Sequence, residues 1–154
     1  MNTKNNQILI SGAVLYREQT NGRRWLVIKN SENDSWEIPK TVVRKVESSV
    51  RAIIRMLGEQ CGMNVRVIEE AGRSGGITTI NGKTVPQRHI YYLAKMLSAQ
   101  GEILGFEEYR WLEYAQAIRK LSTKRERAIL KAAKKELVEW LKKRKAKKKK
   151  DAES

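Results

Sequence analysis

Residues 36 to 63 of this chain, WEIPKTVVRKVESSVRAIIRMLGEQCGM, constrain it most, because the start and the face of one helix can both be read there. Ser48 and Ser49 are cap-type residues: a short hydroxyl side chain accepts from a backbone N–H that the first turn leaves unpaired. Ile53, Ile54 and Leu57 follow at helical spacing, which predicts a helix through Leu57 with an apolar face. Met56, Glu59 and Gln60 stand at i, i+3 and i+4, on one stripe of that helix. Taken alone, this is a surface helix whose charges face water.

The same stretch resembles the box of the Nudix family, G-x5-E-x7-R-E-U-x-E-E-x-G-U with U aliphatic, entered through W-x-x-P-K. Trp36, Pro39 and Lys40 match the entrance. The pattern then lays Thr41 on the first Gly, Glu47 on the isolated Glu, Arg55 on the Arg and Met56 on the first Glu of the helix. Leu57 takes the aliphatic position, Glu59 the next Glu, Gln60 replaces the last Glu, and Gly62 with Met63 closes the box. A plain surface helix would have to produce the entrance, the Glu-to-Arg spacing and the final Gly by coincidence.

In that family the stripe carries carboxylates that hold divalent cations against a substrate diphosphate, since a hard ion such as Mg2+ takes charged oxygen ligands. Here a thioether and a neutral carboxamide replace two of the three charges. The resemblance therefore implies Glu59 and Glu47 as the remaining metal-binding and catalytic carboxylates, with Arg55 resting on Glu47. It further implies Mg2+ that is weakly held or absent, and impaired hydrolysis. Thr41 in place of Gly implies a reshaped loop from Lys40 to Glu47, rich in Val42, Val43 and Val46 and in the basic Arg44 and Lys45.

The rest of the chain reads as strands followed by helices. Residues 7 to 17 and 24 to 29 are apolar runs separated by the turn Thr20, Asn21, Gly22, which predicts a hairpin. Asn81-Gly82 predicts a second hairpin, between GGITTI and a strand ending in HIYYLAKM. Val65 to Glu70 and Glu108 to Leu112 read as further strands, and Glu113 to Leu121 as a helix with Tyr114, Ala117, Ile118 and Leu121 at helical spacing. Thr123 to Glu126 has capping-box spacing, and opens a helix whose apolar stripe is Leu130, Ala133, Leu137, Trp140 and Leu141. This order predicts an α+β fold. The resemblance implies the same in a more definite form, a Nudix-type mixed sheet sandwiched between helices with a C-terminal basic helix. The ending EYRWLEYAQAIRKLS is similar to Nudix proteins of the diadenosine-tetraphosphate hydrolase kind.

At 154 residues the chain can bury a normal core, and its division is expected as a domain over 1–141 and a Lys-rich tail over 142–154. Cys61, the single cysteine, excludes an internal disulfide framework and is expected to be structural, with no disulfide-linked partner. The absence of a signal or spanning segment points to the cytoplasm and away from a membrane. His89, the single histidine, reads as a polar group at a strand edge, and one His with one Cys cannot build a zinc cage.

Charge is the second constraint. Of the net +15, the tail from Leu141 holds eight Lys and Arg against Asp151 and Glu153, or +6, which leaves +9 on the body. A basic tail alone can serve only to keep a chain in solution, but a body that is also basic points to a polyanionic partner, RNA or a ribonucleoprotein particle, with a nucleotide as a further candidate. Lys142, Lys143, Arg144, Lys145, Lys147 and Lys148 would contact phosphates, while Lys40, Arg44, Lys45 and Arg88 would hold a substrate or RNA. Two functions are compatible with these residues. One is a Nudix-fold binding protein with a degenerate metal site; the other is an active Mg2+-dependent hydrolase of a nucleoside-diphosphate linkage, its missing base supplied by Glu102, Glu107 or Glu108.

Overall fold

The computed structural model describes residues 7–153 apart from 33, 102 and 104, with the backbone but not the side chains of 78–80. Its elements are β1 (Ile8–Gln19), β2 (Gly22–Asn30), β3 (Ser35–Glu37), β4 (Lys40–Val42), α1 (Ser49–Cys61), β5 (Met63–Ile80), β6 (Lys83–Ala99), β7 (Glu108–Leu112), α2 (Tyr114–Lys120) and α3 (Lys124–Glu153). The strands form one mixed sheet in the order β3-β2-β1-β6-β5, with β4 added to β1 and β7 to β2. β1 and β6 run parallel and the other pairs antiparallel.

Both faces of this sheet are covered, so the central strands are apolar along most of their length instead of alternating. On one face Ala13, Leu15, Leu26, Ile28 and Ala94 pack with Ile53, Met56 and Leu57 of α1. On the other, Val14, Tyr16, Trp25, Val27, Tyr91 and Leu93 pack with Ala117 of α2 and with Ile129, Leu130, Ala133 and Leu137 of α3. Each large apolar side chain buried in this way contributes roughly 1.5–3 kcal/mol. The approach of strands and aromatic rings is close enough to demand glycine at position 12, where a Cβ would lie 2.6 Å from the Tyr91 ring. Gly12 is thus a packing residue of the core.

The expected hairpins form. Asn81 and Gly82 both take positive φ, 51° and 76°, the conformation a two-residue turn between right-twisted strands requires. Val65 to Glu70 and GGITTI, which the sequence suggests as separate strands, are one 18-residue strand, β5. Bulges between Asn64 and Val65, Val67 and Glu69, and Glu70 and Gly72 let it stay in register with β6 across that length. α1 continues one turn beyond Leu57, stopped by Gly62 at φ 62°. α3 does not end where its apolar stripe ends: residues 142 to 153 extend it as an exposed basic helix.

Candidate functional site

The box helix is built as its caps dictate. The Ser48 hydroxyl accepts from the Arg51 N–H at 3.1 Å, and Gly62 N–H closes the other end on the Gly58 carbonyl. The Ser11 hydroxyl of β1 donates to the Ser49 carbonyl at 2.8 Å, and the Ser49 and Tyr92 hydroxyls share a 2.6 Å hydrogen bond, so the first turn of α1 is pinned to the sheet.

The stripe of Met56, Glu59 and Gln60 runs along the boundary of the core and does not share one environment. Met56 is 0% exposed among Ile53, Leu57 and the β1 and β2 side chains, whereas Glu59 faces solvent and Gln60 is half-buried. The Gln60 carbonyl accepts from Gly105 N–H at 2.9 Å, and any side chain at Gly105 would collide with Gln60. Residues 105–107 are thereby docked on the end of α1. Of the outside carboxylates, Glu107 is exposed, Glu108 lies 3.7 Å from Lys29 and 3.9 Å from Arg110, and Glu102 is outside the described residues.

Glu47 and Arg55 meet as the resemblance implies. Arg55 Nε donates to Glu47 Oε2 at 2.7 Å and Nη2 to Oε1 at 3.0 Å, while the Arg44 N–H donates to the same carboxylate. The Arg55 hydrogen bonds first, and then the backbone donor, hold the Glu47 carboxyl down at about 2. Both its oxygens are engaged. Arg55 is in turn held above its ordinary value, chiefly by Glu47, with Glu59 adding a weaker field. The loop before it is strained, since Val46 is fully exposed at φ 60°, a conformation that β-branched residues resist. Thr41, expected in a reshaped loop, lies in β4 opposite Ser11.

The four expected substrate-binding cations do not form one cluster. By register, Lys40 projects on the α3 face and Arg88 on the α1 face, and Arg44 and Lys45 stand in the exposed loop. Lys40 Nζ donates to Glu126 Oε2 at 2.7 Å and to the Ile38 carbonyl at 3.0 Å, with Glu37 at 3.5 Å. Arg88 lines a cleft of about 510 Å3 at the start of α1 with Leu9, Ser49, Arg73, Ile90 and Tyr92. That cleft has an apolar floor and basic walls.

Glu126 is what the sequence reading missed as more than a cap. Thr123 Oγ1 does accept from its N–H at 3.2 Å, but the Glu126 carboxylate, 2% exposed, turns inward. It accepts from the Ile38 N–H at 2.9 Å, the Tyr91 hydroxyl at 2.8 Å and Lys40, and so ties the W-x-x-P-K segment, β6 and α3 into one buried polar knot. Burial first, and the neighbouring carboxylate next, push the Tyr91 hydroxyl far above its ordinary range. A Glu at capping-box spacing in a segment otherwise rich in Lys and Arg was the available signal. His89 is corrected too. It is 6% exposed in the central strand β6, not at an edge, stacked 6.1 Å from Tyr91, and burial ahead of the Arg125 and Lys40 charges lowers its pKa, so it is neutral at pH 7. Cys61 is buried in the α1 core, and desolvation raises its thiol to about 11, which leaves it inert. Among the described residues no helix is long and apolar enough to cross a membrane, and no three His, Cys, Asp or Glu side chains converge as a metal site.

Comparison with known proteins agrees with this architecture. The chain is 27% identical over 146 residues to an RNA pyrophosphohydrolase of Teredinibacter turnerae, an alignment that covers 83% of this chain and 78% of that protein. Its fold matches the Caenorhabditis elegans Ap4A hydrolase in a binary complex, with a TM-score of 0.68 at 21% identity, over 85% of this chain and 98% of that one. It also matches the NUDIX domain of Shewanella oneidensis NrtR complexed with ADP ribose, at a TM-score of 0.64 and 18% identity, over 85% and 88% of the two chains. The family model for the NUDIX domain matches residues 9–141, and the chain belongs to that family.

Proposed function

We propose that this chain is a cytoplasmic NUDIX-domain protein that binds RNA or a nucleotide through its phosphates and turns diphosphates over poorly. The observation that carries the reading is the state of the box helix. Met56 is embedded in hydrocarbon, both Glu47 oxygens are closed by Arg55 and Arg44, and Glu59 is the single acid on α1. A hard divalent cation takes several charged oxygens at short range, and a buried thioether, a carboxamide and one open carboxylate fit it badly. These residues do not fit Mg2+, and what the chain's own side chains do is bind. Arg88 offers its guanidinium to phosphate oxygens over the apolar floor made by Leu9, Ile90 and Tyr92, while Arg73 on the same cleft is held by Glu70 at 2.8 and 3.0 Å. The relative named RNA pyrophosphohydrolase supports a phosphorylated RNA end as the ligand.

The second reading is an active hydrolase of a nucleoside-diphosphate linkage, and one observation favours it: the docked segment brings Glu107 within two residues of the Gly105 contact to Gln60. The two readings separate in one experiment. RNA bearing a 5′-triphosphate and a dinucleoside tetraphosphate are offered with Mg2+, and both binding and product release are followed. Binding without turnover is expected. Turnover of about 1 per second or more would overturn the proposal, and loss of that turnover in Glu107→Gln would establish the second reading.

A further inference from the structure

The distal half of α3 does not leave the body as a free arm at once. Trp140, at the end of the buried stripe, carries two guanidinium groups over its ring, Arg66 of β5 at 5.4 Å and Arg144 of α3 at 4.8 Å. Arg66 stands opposite Lys95 on β6, and Lys95 opposite Tyr16 on β1, so these three side chains form one rung on the α3 face of the sheet. Lys95 of this rung and Arg144 of α3 line one hollow beside Trp140. Two hollows flank Trp140, of about 330 and 340 Å3. One is bounded by Lys95, Arg144, Lys145 and Lys148, and the other by Arg66, Arg144, Lys147 and Lys148 with Asp151 as the one acid, so cations outnumber acids in both.

We propose that this groove, between the sheet and the distal turns of α3, is a binding track for the phosphate backbone of single-stranded RNA, gripped from the sheet side by Arg66 and Lys95 and from the helix side by Arg144 and Lys148. Cations crowded on two elements around a fixed indole repel one another, and a chain of phosphates supplies the opposite charge in a line. Trp140 ties the two walls together, since Arg66 from the sheet and Arg144 from the helix both lie over its ring. The extension beyond Leu141 has no apolar face to insert into a lipid surface, Ala146 and Ala152 being its only uncharged aliphatic residues, which favours nucleic acid over membrane. The inference rests on the RNA reading above and adds what the tail sequence alone does not contain: half of the site belongs to the folded domain.

The test uses the full chain and a labelled single-stranded RNA with a 5′-hydroxyl, so that no terminal phosphate engages the box cleft. Anisotropy is read across a salt series. Arg66→Gln with Lys95→Gln should weaken binding roughly 5- to 20-fold at low salt, and lower the slope of log affinity against log salt by about 1.4, for two contacts at about 0.7 each. Truncation after Leu141 should lower it further, and the combined variant should lose less than the two losses added, because the walls share the same phosphates. Since Arg66 also packs on Trp140, Lys95→Gln alone and Arg66→Lys are included: the first should lose about half of the slope change and the second should keep the slope. An unchanged slope in Arg66→Gln/Lys95→Gln, with binding lost on truncation, would overturn the proposal in favour of a tail that acts alone. Binding to vesicles containing anionic lipid with none to RNA would overturn it in favour of a membrane surface. Rapid turnover of 5′-triphosphate RNA with the expected slopes intact would instead remove the impaired-enzyme reading and leave the track standing.

Discussion

Met56 and Glu126 are buried to nearly the same degree on opposite faces of one sheet, and the chain fills the first with a thioether and the second with a charge. The difference lies in the partners prepared for each. Glu126 meets a backbone N–H, a phenol and an ammonium, so the cost of removing a carboxylate from water is offset by three donors. Met56 meets only hydrocarbon, with Ile53, Leu57 and Cys61 beside it. A position at the edge of a core can hold a carboxylate only if donors or metal ions wait there, and the Arg55 guanidinium of α1 is already closed on Glu47.

The comparison breaks first at Glu126. Glu126→Ala leaves Lys40, Tyr91 and the Ile38 N–H facing a void, and should cost about 3–5 kcal/mol in urea unfolding, as expected when one partner of a buried pair is removed. A loss under about 1 kcal/mol would show that water satisfies the knot, and that burial is not what distinguishes the two sites.

Met56→Glu is the converse and the next largest effect, about 3 kcal/mol at neutral pH, because the new carboxyl has no donor. Its folded pKa would be raised, so the variant should be most stable below the ordinary carboxyl value and lose stability as pH rises through the raised one. Unfolding at pH 5 and pH 8 decides it. Parental stability at pH 8 would mean that solvent reaches the stripe and that position 56 is open to a metal ion.

Glu47 sharpens the contrast at the surface. Its carboxyl is held at about 2 against an ordinary 4.5, so its contribution is complete above 4.5 and is lost as pH falls from there toward 2. Glu47→Gln should flatten that acid limb and leave the neutral-to-basic range parallel to the parent. An identical acid limb in both proteins would mean that the Arg55 pair is absent in solution. The smallest effect is at Val46. Val46→Asn should raise stability by about 0.5–1 kcal/mol by relieving a left-handed β-branched residue, as read in thermal unfolding. A loss instead would show that the loop depends on the valine side chain.

The local signals were legible because they need few neighbours. A serine cap, a final glycine and an Asn-Gly turn each act within four residues, and all three appear where the sequence puts them. The Glu47 to Arg55 contact was legible only through the family pattern, since eight residues across a loop is too far for local geometry to specify. What failed were statements about environment. His89 looks like a strand edge because it begins an apolar run, but pairing with β1 and β5 on both sides buries it. Glu126 reads as a cap, and its side chain goes instead to partners 35 to 88 residues away.

The sequence by itself determined most of the helices and hairpins, the family and the inventory of charge: the box with its three replaced positions, the basic balance of body and tail, and the single Cys and His. Only the tertiary structure decided which of those groups face each other. It put Met56 in hydrocarbon and Glu59 in water although they share a stripe, separated Lys40 from Arg88 by the thickness of the sheet, and brought Arg66 and Lys95 under the basic end of α3. The reason is physical. Backbone hydrogen bonding and side-chain period are set by neighbours in the chain, whereas the solvation and pairing of a charge are set by whichever elements the fold packs against it.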